Sequence, residues 1–128
     1  MTDRQLLEQF EQGTLEPFHH ADHVHVAFAY LNQHPPAEAL ARFCHGLKHF
    51  AALHGKENRY HETITWAYLC LIRQRMAEAG QQTWEAFAHA NPDLLLWKNG
   101  ILSRYYREGT LESERAKAVF VFPDKYCG

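Results

Sequence analysis

Apolar residues recur at helical spacing through most of the chain. Val24, Ala27, Phe28 and Leu31 fall at i, i+3, i+4 and i+7, which predicts a helix from about His20 to Gln33. Pro35-Pro36 stops that helix and starts another, because proline suits a first helical turn and not an interior. The next helix is expected from about Pro36 to His54, with Leu40, Phe43, Cys44, Leu47, Phe50 and Ala51 on its buried stripe and Gly55 as its cap. After a polar connection, Lys56-Glu57-Asn58-Arg59, a further helix is expected from about Tyr60 to Ala79, burying Ile64, Tyr68, Leu71, Ile72 and Met76. A short amphipathic helix, Asp3 to Glu11, precedes these, with Leu6, Leu7 and Phe10 on one side and Gly13 ending it. Thr14 to Phe18 carries Pro17 and is expected to be extended.

The last third is less regular. Trp84 to His89 reads as a short helix stopped at Asn91-Pro92. Asp93 to Trp97 and Ile101 to Tyr106 read as two helical pieces divided at Asn99-Gly100, and Glu112 to Ala118 as a last turn or two. Val119 to Pro123 is the one strand-like run; without a partner it is expected to be an extended tail packed on helices. The fold class predicted is all-α: a single domain spanning 1–128, an antiparallel bundle of four main helices with short C-terminal helical segments.

Composition narrows the function classes. With 46% hydrophobic and 13% aromatic residues the 128-residue chain can fill one core. The net charge is −2 and charge signs are interleaved, so a phosphate-neutralising stripe is missing and nucleic acid is not expected as a partner. Cys44, Cys70 and Cys127 are widely spaced and odd in number, which speaks against a disulfide framework and for a reducing, cytoplasmic address. Cys44 and Cys70 are read on apolar helix faces and are expected as small core residues; Cys127 reads as a free, exposed thiol. The longest apolar run, Trp66 to Ile72, is far short of a bilayer span, and the first residues lead into no signal core.

Ten histidines are the chain's most unusual feature. His20 and His23 are spaced i, i+3 at the start of the second helix, so both imidazoles can reach one point. His61 shares the face of Ile64, Thr65, Tyr68 and Ile72 at the start of the fourth helix, and His54 lies in the last turn of the third. With consecutive helices antiparallel, all four come to one end of the bundle. His20, His23 and His61 are therefore the expected metal ligands, with His54 a weaker candidate. Imidazole suits zinc, iron, copper and nickel alike.

Glu62 and Tyr105 are the candidate catalytic side chains, and Asp22 and Glu57 could support an imidazole from outside the ligand set. Asp22 and Glu62 are equally accounted for by the preference of carboxylates for first helical turns. His45 and His49 project opposite the buried stripe and belong in solvent. The leading expectation is a metal-binding protein with a small-molecule pocket, extending to metal-dependent catalysis. The alternative is a non-catalytic ligand- or partner-binding bundle whose histidines are structural or pH-sensing. Nucleotide-binding and serine-hydrolase motifs are absent.

The segments Phe18-His19-His20-Ala21-Asp22-His23-Val24, Tyr60-His61-Glu62-Thr63-Ile64-Thr65 and Phe120-Val121-Phe122-Pro123-Asp124 resemble a family of small uncharacterised bacterial helical proteins. That family carries H-x-x-H after an aromatic residue and Y-H-E-T-x-T on a later helix. The resemblance covers Phe18 to Asp124 and implies a shared site at His20, His23 and His61; His54 is outside the pattern, and Phe18 stands where tryptophan is more usual. No activity of the family is known to us.

Overall fold

The computed structural model describes residues 1–97 and 100–125. Among them are six α-helices, three 3₁₀ turns and no strand. The helices are α1 (Asp3–Gln12), α2 (His20–Gln33), α3 (Pro36–Leu53), α4 (Glu62–Ala79), α5 (Trp84–Ala90) and α6 (Glu114–Ala118). The 3₁₀ turns occupy Glu57–Arg59, Pro92–Leu95 and Ile101–Arg104. None of the described helices is long and apolar enough to cross a membrane. The expected break at Asn99 and the thiol of Cys127 lie outside the described residues.

Local chemistry sets the helix ends. Thr2 and Gln5 form a reciprocal capping box at the start of α1, and Gly13, at φ 76°, closes it in the left-handed region. Thr83 caps α5 and Ser113 caps α6 through their hydroxyls. Asp22 accepts the backbone N–H of His19 at 2.9 Å, which fixes the first turn of α2.

Helix α2 packs against α1, α3 and α4, and for that reason is buried on nearly all sides: Val24, Val26, Ala27, Phe28, Ala29 and Tyr30 all leave solvent. A single apolar stripe underestimates such a helix. Phe10 of α1 is fully buried and packs with Phe18, Tyr30, Phe43 and Phe50. The close approach of α1 to α3 depends on Gly46, where a Cβ would collide with the Phe10 ring.

The C-terminal segment folds back onto α4. Thr63, fully buried, sits within hydrogen-bond distance of the carbonyls of Ala116 and Val119, at 2.6 and 3.0 Å, and its Oγ1 accepts the N–H of Val121. Phe120 stacks on Trp66, and Tyr106 donates its hydroxyl to the Val121 carbonyl at 2.7 Å. The expected extended tail is thus present and docked.

One cysteine departs from expectation. Cys44 is half-buried, whereas Cys70 is exposed. At ~100° per residue, Cys70 lies well round the helix from Thr65, Tyr68, Leu69 and Ile72, on the side of Thr63, which the C-terminal segment buries two turns earlier.

Candidate functional site

The start of α2, the end of α3 and the start of α4 enclose a cavity of about 940 Å³. Val24, Phe43, Leu47 and Ile72 form its buried apolar floor. Phe18, Phe50, Tyr60 and Tyr68 add aromatic walls, and the exposed Trp97 stands at the mouth. His20, His23, His54 and His61 all line this one cavity. The expected convergence of the four histidines is what the chain does.

They are not, however, arranged as ligands. Among the described residues no group of three or more His, Cys, Asp or Glu side chains could hold a metal ion, which overturns the expected metal site at His20, His23 and His61 with His54 in reserve. For His61 the hydrogen bonds give the physical reason. His61 caps α4: its Nδ1 accepts the N–H of Ile64 at 3.1 Å, so its proton is on Nε2, which donates to the Leu111 carbonyl at 2.6 Å. Both ring nitrogens are committed and no lone pair is left for a cation. His20 Nε2 donates to the Leu94 carbonyl at 2.9 Å, and His54 Nε2 to the Gly13 carbonyl at 2.9 Å. Each of the three fastens a helix end to an irregular stretch of chain.

His23 is different. Its ring stacks on Phe18 at 4.0 Å between centroids, and among the described residues neither of its nitrogens has a hydrogen-bond partner. Burial, with the neighbouring His20 adding to it and Asp22 opposing, lowers its pKa to about 4, so the imidazole is neutral at pH 7. His20 is likewise shifted down by burial. The Tyr68 hydroxyl, on the same cavity's lining, also lacks a protein partner among the described residues, and burial raises its pKa. His20 packs edge-on against the Tyr68 ring at 4.8 Å and lies 5.2 Å from that of Trp97.

The candidate catalytic side chains are elsewhere. Glu62 accepts a hydrogen bond from the Tyr60 hydroxyl and is not part of the cavity lining. Tyr105 is exposed and also outside it. Asp22 is occupied as the cap of α2 and Glu57 lies in an exposed turn, so neither orients an imidazole of the cavity. His45 and His49 are exposed on α3, as their register requires.

The segment 92–97 reaches the cavity through Trp97. Arg75 binds Asp93 through paired contacts of 2.9 and 3.1 Å and also donates to Asn91, and this pairing holds the Asp93 carboxyl below its usual range. With the His20 bond to Leu94, that clamp seats the turn Pro92–Leu95 and, just beyond it, Trp97. The helical stop at Asn91-Pro92 marked the turn, but nothing local pointed to Arg75 as its partner.

Comparison with protein-family profiles, with curated proteins and with solved structures finds no match for this chain.

Proposed function

We propose that this protein is a non-catalytic binding domain that holds one small, largely apolar molecule in the cavity between α2, α3 and α4. In this reading the four longest helices form an antiparallel bundle, and the cavity is the unfilled end of its core.

The observation that carries the proposal is a pair of polar groups, the His23 imidazole and the Tyr68 hydroxyl, left without protein partners in an apolar cavity. Both groups are free to bond a guest, and a bound molecule carrying a donor or acceptor finds its hydrogen-bond partners there. The volume falls in the range of ligand sites, ~300–1,000 Å³, and the lining has their usual character of apolar walls with a few placed polar atoms.

Binding is favoured over catalysis by the same residue. A base whose conjugate acid has a pKa of about 4 abstracts protons poorly at neutral pH, where general bases work best with pKa values near the working pH.

The test is titration with N-phenyl-1-naphthylamine, a neutral apolar dye whose emission rises on burial. Saturable binding at one site per chain is expected, with loss of binding on filling the cavity by Ala51→Trp. Equal binding by the filled variant, or none by the wild type, refutes the proposal.

A further inference from the structure

The cavity's rim differs in charge from the chain as a whole. The protein is net negative, at −2, yet Lys56, Arg59 and Lys117 all line the cavity while Glu16 is the one carboxylate among the lining residues. Lys56 and Arg59 are exposed, in the connection between α3 and α4, and Lys117 is half-buried on α6. None of the ion pairs among the described residues uses any of the three. Three such cations on the lining of one cavity reinforce each other's attraction for an anion. Inside the rim, burial keeps His20 and His23 neutral, so the positive charge of the lining is carried by these three side chains at its edge. The cavity therefore offers an apolar interior with neutral polar groups and a cationic mouth.

Resting on the binding proposal above, we infer that the ligand is a monomeric amphiphilic anion: an apolar body inside, with a single carboxylate or phosphate head at Lys56, Arg59 and Lys117. A carboxylate and a phosphate monoester share the required charge, and the experiment separates them.

Dodecanoate, dodecyl phosphate and dodecanol, each below its aggregation concentration, are compared by displacement of N-phenyl-1-naphthylamine. The expected result is that at least one of the anions binds about tenfold or more tightly than the alcohol, with the advantage shrinking as salt is raised. The stronger of the two identifies the head group. In the triple variant Lys56→Gln, Arg59→Gln, Lys117→Gln that advantage disappears, while the neutral dye binds as before. Retained dye binding also shows that this variant is folded. Glu16→Gln strengthens anion binding. If the dye binds but anions and alcohol compete equally, or the triple variant keeps the preference, the inference is wrong and the cavity proposal stands. If the dye itself does not bind, the underlying proposal has failed. Pelleting with anionic vesicles while dodecanoate and dodecyl phosphate leave the dye in place would replace the inference with a membrane surface.

Discussion

His61 offers a direct way to separate a structural histidine from a metal ligand. Replacing it by alanine removes the cap on the Ile64 N–H, a loss of about 1 kcal/mol for a helix N-terminus. It also removes the donor to the Leu111 carbonyl, another ~1 kcal/mol at a half-buried position. The sum, about 2 kcal/mol, corresponds in a domain of this size to a fall in melting temperature of roughly 6–10 °C. His61→Asn keeps an oxygen able to accept the Ile64 N–H but does not reach Leu111, so it recovers about half of the loss. Circular-dichroism melts of the wild type and both variants, with and without a chelator, measure all of this. The chelator should change none of the three. If the alanine variant melts within about a degree of the wild type, or if chelator alone reproduces its loss, the assignment of His61 as a cap and latch is refuted.

Three further outcomes follow from the packing and the burial. His23 has a folded pKa of about 4 against ~6.5 unfolded, so the unfolded chain takes up the extra proton between those values; its contribution, about 3 kcal/mol at most, is complete above the upper one and lost as pH falls toward the lower. Denaturant titrations across that window should show a flatter pH slope for His23→Gln than for wild type, and equal slopes would contradict a buried neutral imidazole. Gly46→Ala should destabilise by about 1–3 kcal/mol although alanine is the better helix former, since its methyl meets the Phe10 ring; a stabilised variant in urea melts would show that α1 and α3 are not in contact there. Thr63→Val, nearly the same size, leaves the carbonyls of Ala116 and Val119 and the Val121 N–H without their shared partner, at about 2–4 kcal/mol. Hydrogen exchange should then speed up at Val121, and unchanged protection there would count against the latch.

The helix limits were legible because their signals are local. The span His20–Gln33 is set by the proline pair and by the capping reach of Asp22, both within a few residues. The gathering of four histidines was legible too, since it needs only helix register and the order of the long helices. Their chemistry was not. The atoms that bind His20, His54 and His61 are backbone carbonyls of Leu94, Gly13 and Leu111, and every residue type has a carbonyl, so no pattern of side chains announces it. Periodicity places an imidazole on a face; it does not say which of its ring nitrogens are already bonded. The same limit applies to Thr63, whose partners lie more than fifty residues along the chain.

The three tryptophans occupy three separate environments. Trp66 lies under Phe120 of the docked tail, Trp84 is stacked on His25 at 4.2 Å with nearly parallel rings, and Trp97 stands 60% exposed at the cavity mouth. The chain therefore carries its own set of optical probes. A version retaining only Trp66 would register release of the tail, one retaining only Trp84 the seating of α5 against α2, and one retaining only Trp97 the arrival of a guest, each without an added label.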